Sequence, residues 1–229
     1  MLDPAVGSLD LSKVVLAIGG LGTAAYGVVD ATKGIGGGIS NRGFGDIKKV
    51  VSRLIPPSAR KTDGGPALDL ESALATLRAN WMNGMALADQ KSIAKALIKL
   101  NLTPANSTGM AAVVGVDPTK LTSVATKMST GENLTQPETD VYGRFDLLLN
   151  SLLDQAYQRG DQRYRNSAKL AAVFVSVALA WWSTWFLYGK EEFALATVAG
   201  LLATPLAPVA KDLASAVQAG AKLAQFWKQ

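Results

Sequence analysis

Residues that could carry out chemistry are few in this chain. It has 229 residues, and histidine and cysteine are both absent. Zinc fingers, cysteine-ligated clusters, disulfides, and Ser–His–Asp or Cys–His catalytic sites are therefore excluded. A metal site would need oxygen ligands alone, and a general base would have to be a carboxylate, a lysine or a tyrosine.

Two pairs of carboxylates have a spacing that acid–base catalysis could use. Asp69 and Glu71 form one pair, and Glu138 and Asp140 form the other. Each pair lies near the predicted start of a helix, where acidic side chains usually complement the helix macrodipole. We therefore predict that the protein is not an enzyme and holds no metal ion or cofactor. A membrane-bound enzyme stays open as a third hypothesis, because composition does not exclude Asp, Glu, Lys or Tyr chemistry.

The glycine cluster Gly34–Gly38, followed by Gly43 and Gly45, invites comparison with phosphate-binding loops. Its spacing does not fit, because Ile39 stands at the third glycine position of the dinucleotide fingerprint and no Gly-Lys-Ser/Thr ending follows. The cluster also follows an apolar segment, whereas such loops follow a strand. We predict a flexible juxtamembrane hinge at these glycines.

Three apolar segments dominate the rest of the sequence. Charged residues make up only 18% of the chain, below the roughly 25% of ordinary soluble domains, and mean hydropathy is +0.18. Leu170–Tyr188 is uncharged and long enough to cross a ~30 Å hydrocarbon core as a helix. Phe193–Ala210 follows after a short turn and predicts a helical hairpin. The third segment, Val14–Val29, is shorter and rich in glycine and alanine.

Aromatic residues gather where these segments should meet the membrane surface. Such belts mark the interface between lipid and water. The residues that we predict to lie there are Trp181, Trp182, Trp185, Tyr188 and, in the amphipathic C-terminal segment, Trp227. Pro205 and Pro208 should kink or break the second helix of the hairpin near its far end.

Small residues recur along the first apolar segment and predict close helix packing. In lipid, such a stripe lets two helix backbones approach one another. The predicted packing residues are Gly19, Gly20, Thr23, Ala24 and Gly27. The alternative is that glycine and alanine only lower the hydrophobicity of this segment and have no partner.

Basic residues flank the apolar segments on one side. Residues 31–66 carry seven basic and two acidic side chains. A second basic stretch precedes Leu170, and its predicted lipid-surface residues are Arg159, Arg163, Arg165 and Lys169. The positive-inside rule places both stretches in the cytoplasm, with the N-terminus outside and the C-terminus cytoplasmic. Because the excess charge follows the membrane segments, we predict no nucleic-acid partner.

The remaining sequence is helical in pattern, so the predicted fold class is all-α. Thr103-Pro104 and Asp117-Pro118 predict helix starts, and Thr135 with Glu138 predicts a capping box. One long helix should run from about Leu134 into the membrane. We predict five parts: an N-terminal transmembrane helix (1–33), a Gly/Pro-rich basic juxtamembrane linker (34–66), a cytoplasmic helical domain (67–168), a transmembrane hairpin (169–210) and a C-terminal amphipathic helix (211–229).

Two stretches of the chain resemble a set of uncharacterised bacterial multi-pass inner-membrane proteins. They are Ala79–Leu100, with Ala-Asn-Trp-Met-Asn-Gly-Met at its start, and Tyr157–Lys169, with Tyr-Gln-Arg-Gly-Asp-Gln-Arg-Tyr. In those proteins a basic helix leads into paired C-terminal spans. The resemblance implies a multi-pass topology in the bacterial inner membrane, and it implies no functional residue.

Two functions compete on this basis. The preferred hypothesis is a membrane scaffold or accessory subunit that contacts membrane lipids and forms a homo-oligomer or binds a protein partner. The alternative is a membrane-perturbing or pore-forming effector gated by its cytoplasmic domain. No ionisable residue lies inside an apolar segment, which disfavours a transporter.

Overall fold

The computed structural model describes residues 11–56, 69–189 and 192–226, without the side chains of Leu11, Tyr188 and residues 217–226. Its regular structure is helical and contains no strand in these ranges, which confirms the all-α class. The helices are α1 (Leu11–Ala31), α2 (Ser40–Leu54), α3 (Leu70–Met82), α4 (Leu87–Leu100), α5 (Pro104–Val114), α6 (Pro118–Thr130), α7 (Gln136–Tyr188) and α8 (Phe193–Phe226), with a 3-10 turn at Thr32–Gly34.

The chain divides into two compact units. One, here called the membrane unit, consists of Met1–Ile39 and Arg165–Gln229. The other, the helical unit, is Ser40–Tyr164. Residues 40–54 thus belong to the helical unit as α2. The sequence predicts them as part of the linker, with a short amphipathic helix at Asp46–Leu54 only. The linker residues 57–66 lie outside the described residues.

Helix α2 forms where glycines predicted a flexible hinge. Both Gly43 and Gly45 lie inside this helix. A Cβ atom at Gly43 would lie 2.5 Å from the Gly160 carbonyl oxygen, and one at Gly160 would lie 2.7 Å from the Gly43 carbonyl oxygen. The two glycines therefore let α2 and α7 pack backbone against backbone.

Large apolar side chains fill the core of the helical unit. The apolar face of α2 contributes Phe44, Ile47, Val51 and Leu54, and α7 contributes Phe145, Leu149, Leu153 and Tyr157. Two polar groups that enter this core are bonded: Trp81 Nε1 donates to the Ser40 carbonyl at 3.0 Å, and the Tyr157 hydroxyl donates to the Gln90 carbonyl at 3.3 Å. The side-chain oxygen of the buried Gln90 has no hydrogen-bond partner among the described residues.

Helix starts are where the sequence predicts them. The side chains of Thr103 and Asp117 accept hydrogen bonds from the backbone N–H groups of Asn106 and Lys120. The Thr135 N–H donates to Glu138 Oε2 at 2.7 Å, which confirms half of the predicted capping box, and α7 follows without interruption to Tyr188.

Helix α8 passes through both of its prolines. It runs from Phe193 to Phe226, so of the two predicted outcomes, a kink or a break, the break at Pro205 and Pro208 is wrong. Both proline rings are exposed, and neither has to be accommodated in the packed side of the helix. Transmembrane helices tolerate proline where neighbouring groups or waters satisfy the freed carbonyls.

Candidate functional site

Three helices of the described chain are long and apolar enough to cross a membrane. The candidate spans are Ser12–Gly34, Gln136–Leu187 and Phe193–Ala216. In the most apolar 18-residue stretch of each helix, only 22%, 17% and 33% of the residues, respectively, are buried inside the chain. Most of the apolar surface of these helices is therefore left for lipid or for another protein.

Helix α1 packs on α8 through residues without side-chain bulk. A Cβ atom at Gly22 would overlap the Ala203 carbonyl oxygen, and one at Gly19 would lie 2.9 Å from the Leu206 carbonyl oxygen. Ala25 is fully buried on the same face of α1. This is the backbone approach that small residues allow in lipid.

The predicted small-residue stripe is split between two faces of α1. Gly19 belongs to the face that packs on α8. Gly20, Thr23, Ala24 and Gly27 are exposed, and a Cβ atom at Gly20 or Gly27 would meet nothing within 4 Å. Gly19 therefore faces a partner helix within the chain, whereas a side chain at Gly20 or Gly27 would enter open space.

Helices α7 and α8 form the predicted hairpin with equally close packing. A Cβ atom at Gly200 would lie 2.6 Å from the Val177 Cα atom. The buried Ser176 hydroxyl lies 2.7 Å from the Gly200 carbonyl oxygen and donates to it. The same hydroxyl lies 2.9 Å from the Val173 carbonyl oxygen of its own helix, so its proton is shared between α7 and α8. Such a polar contact between two apolar helices contributes to their register.

The predicted aromatic residues cluster at the turn of the hairpin. Trp181 Nε1 donates to the Thr197 hydroxyl at 2.8 Å, and the rings of Trp181 and Trp185 both pack against Phe193. Trp182 is 68% exposed and stacks on Phe186. The side chain of Tyr188 is not described, and Trp227 lies outside the described residues.

The predicted lipid-surface cations all lie on α7 and are exposed, but they are not all unpaired. Arg163 Nη1 lies 3.0 Å from Asp46 Oδ1 of α2. Arg165 also has an interaction partner, whereas Arg159 and Lys169 extend from exposed positions. Arg159 and Arg163 belong to the helical unit, and Arg165 and Lys169 belong to the membrane unit.

Carboxylates that could have served as acids or bases have structural partners. Asp69 caps α3 by accepting from the Ser72 N–H at 2.7 Å. Glu138 accepts from the Ser123 hydroxyl at 2.6 Å and from Lys127 Nζ at 2.8 Å. Asp140 accepts from Gln136 Nε2 at 2.9 Å. These contacts fit a structural role for Asp69, Glu138 and Asp140.

Lysines of α4 bind carboxylates of α7 along one helix face. Lys95 and Lys99 approach Asp146 at 2.7 and 2.9 Å, and Lys91 pairs with Asp154. Desolvation alone would lower the pKa of Lys99, but its interactions with Tyr142 and Asp146 outweigh that effect and raise the pKa above 10.5. This row of ion pairs joins α4 to α7.

The described residues contain no group of three or more acidic side chains that could hold a metal ion. No protein-family model matches the chain, and neither a curated protein nor a solved structure is significantly similar to it. The function must therefore be inferred from the arrangement of the residues themselves.

Sequence reasoning missed two sets of residues. The first set is Gly22 with Ala203 and Ala207, which pack against one another where α1 meets α8. The predicted small-residue stripe does not include Gly22. The exposed cations of α2 were counted only as part of a charge total. Their spacing in the sequence was the signal that could have revealed them.

Proposed function

We propose that the protein is an integral scaffold or accessory subunit of the bacterial inner membrane that self-associates or binds a protein partner through its spans. Its N-terminus lies outside, and its helical unit and C-terminus lie in the cytoplasm. The basic residues before and after the apolar segments support this orientation through the positive-inside rule.

The observation that carries the proposal is that α1 has small residues on two faces. One face, with Gly19 and Gly22, is occupied by α8. The other, here called the bare face, carries Gly20, Ala24 and Gly27, is exposed, and has no atom within 4 Å of a Cβ placed at either glycine. A second helix could approach this bare face as closely as α8 approaches the first. The low internal burial of all three spans leaves room for such a partner.

Replacing Gly20 and Gly27 with leucine tests the proposal. Both substitutions point away from α8, so the fold of the single chain should persist while close association is blocked. Chemical crosslinking in native membranes should then show a shorter ladder of products. A matched control replaces Ala194 and Val198 of α8, both exposed, with leucine. An unchanged ladder in the Gly20/Gly27 variant would contradict the proposed interface.

A second function, a membrane-perturbing effector, has one observation in its favour. Pro205 and Pro208 remove the N–H groups that would bond the carbonyls of Leu201 and Thr204. The buried Thr204 hydroxyl has no hydrogen-bond partner in the described part of the chain. This part of α8 is therefore the least bonded stretch of a span and would be the moving part of a pore. Purified protein that never releases dye from liposomes would eliminate this function.

A further inference from the structure

Helix α2 carries an exposed cationic stripe made of Arg42, Lys49 and Arg53. These positions are seven and four residues apart, which places them on one face of a helix. All three side chains are exposed. Among the residues that the structure describes, none of the three makes a salt bridge or a side-chain hydrogen bond. Three cations thus face solvent together, and none of them is paired with a carboxylate in the described part of the chain.

The opposite face of α2 packs in the core of the helical unit. Its apolar residues are buried in the core of the helical unit, where Ile47, Val51 and Leu54 are fully covered. A helix that lies on a membrane normally inserts such a face between the headgroups. Because α2 cannot do so without unfolding the unit, its exposed side can act only through charge.

Arg163 of α7 adds a fourth cation beside the stripe. It pairs with Asp46, which follows Arg42 by four residues on α2. The side chain of Asp46 is only 18% exposed, whereas that of Arg163 is 59% exposed. The carboxylate is therefore turned inwards, and the guanidinium is the member of the pair that an approaching ligand meets.

The position of α2 in the chain favours one kind of anion. Five residues, Ile35–Ile39, separate it from the 3-10 turn that ends the candidate span Ser12–Gly34. Polybasic segments next to a span are attracted to the anionic phospholipids of the cytoplasmic leaflet, within a Debye length of about 10 Å at 0.1 M salt. A topology signal alone needs only a number of basic residues. It does not need them on one face of a folded helix.

We propose that the cationic stripe of α2 binds the anionic headgroups of phospholipids in the membrane that the apolar helices span. The inference rests on the proposed membrane location and is independent of the scaffold role. Each basic residue near such a surface contributes about a fivefold increase in affinity, so removal of the three should weaken the interaction about a hundredfold.

A single fluorescent label beside the stripe can test this in the full chain. The protein has no native cysteine, and Gly45 is an exposed position of α2 where a Cβ atom meets nothing within 4 Å. A bimane-labelled Gly45→Cys protein is reconstituted into phosphatidylcholine vesicles with and without phosphatidylglycerol. Quenching by a lipid with a spin-labelled headgroup then reports how close the stripe lies to the membrane surface.

The test compares two variants with the same change in net charge. The stripe variant carries Arg42→Gln, Lys49→Gln and Arg53→Gln. The control carries Lys48→Gln, Lys120→Gln and Arg144→Gln, all at exposed positions of the helical unit and outside the stripe. Lys48 is on the same helix, about 100° around from Lys49.

We expect phosphatidylglycerol to increase quenching in the parent and control proteins but not in the stripe variant. Raising the salt concentration to 1 M should remove the increase, because the Debye length falls to about 3 Å. Equal quenching in the stripe variant, or an equal loss in the control, would overturn the proposal. So would a label that responds to polyuridylate but not to phosphatidylglycerol, since the stripe would then be a nucleic-acid site.

Extraction with alkaline carbonate separates this proposal from the proposed location. If the parent protein leaves the vesicles, the membrane location itself is wrong, and the lipid proposal falls with it. If the protein stays in the vesicles and the stripe variant is quenched like the parent, only the lipid proposal is overturned.

Discussion

The membrane unit packs mainly through backbones, whereas the helical unit packs mainly through side chains, with the Gly43–Gly160 contact as its exception. In the membrane unit, a Cβ atom would lie within 3.0 Å of another helix at three glycines, Gly19, Gly22 and Gly200. In the helical unit, side chains as large as Phe145 and Tyr157 are fully buried, and lysine–aspartate pairs join α4 to α7. Close backbone contact suits helices in lipid, where burying a large apolar side chain gains little. In water that burial is the main source of stability.

The largest expected effect is the loss of a core side chain in the helical unit. Leu149→Ala removes a fully buried side chain and should lower the free energy of unfolding by about 2–5 kcal/mol. Leu202→Ala in α8 is the matched change in the membrane unit, at a side chain that is 45% exposed, and should cost much less. Chemical denaturation in detergent measures both. Equal losses would contradict the comparison.

Adding one methyl group to α1 should destabilise the protein on the face that packs on α8 and not on the opposite face. Gly22→Ala places a Cβ atom against the Ala203 carbonyl and should cost about 1–3 kcal/mol through overpacking. Gly20→Ala, on the bare face of the same helix, should be neutral or slightly stabilising. Thermal unfolding followed by circular dichroism distinguishes them. If both variants unfold at the parent's temperature, α1 is not held on α8 by this contact.

Neutralising Asp146 should have a smaller effect. Asp146→Asn removes the carboxylate that holds Lys95 and Lys99, and these partly exposed pairs should contribute about 1 kcal/mol. Asp140→Asn, whose partner is the uncharged Gln136, serves as the control. Added salt should shrink the difference between the parent and Asp146→Asn. An unfolding free energy that is insensitive to salt in both proteins would sink this interpretation.

The smallest expected effect is the loss of the stabilisation from Lys99 at alkaline pH. The pKa of Lys99 is raised in the folded protein above the unfolded value of about 10.4, so its charge stabilises the fold fully below that pH. This contribution is lost as the pH rises through the folded pKa. The stability difference between the parent and Lys99→Gln should therefore be constant near pH 8 and shrink above pH ~10.4. The exposed Lys120→Gln is the control, and a difference that grows with pH would have the wrong sign.

Local signals in the sequence predict much of the fold. The Thr135–Glu138 capping box predicts the start of α7, and the lack of proline between Pro137 and Pro205 predicts its continuity. The cap-plus-proline pairs predict α5 and α6. These signals work because a cap is satisfied within its own turn of helix.

Tertiary contacts account for what the sequence does not predict. Glycine propensity alone predicts a hinge at Gly43, yet its lack of a side chain is what admits α7. On α1, glycine and alanine occupy nearly every side of the helix, so a repeat of four could not show that Gly22, and not Gly27, faces α8. Which side is occupied depends on a partner helix more than 180 residues away in the sequence.

The contact between Gly43 and Gly160 has a genetic consequence. Each glycine faces the backbone carbonyl of the other, and every amino acid carries that carbonyl. No replacement at position 160 can therefore make room for a side chain at position 43, and the reverse is equally true. Intragenic suppressors of a Gly43→Ala defect should arise at residues that let α2 shift as a whole, such as Trp81, which also contacts this position. They should not arise at Gly160.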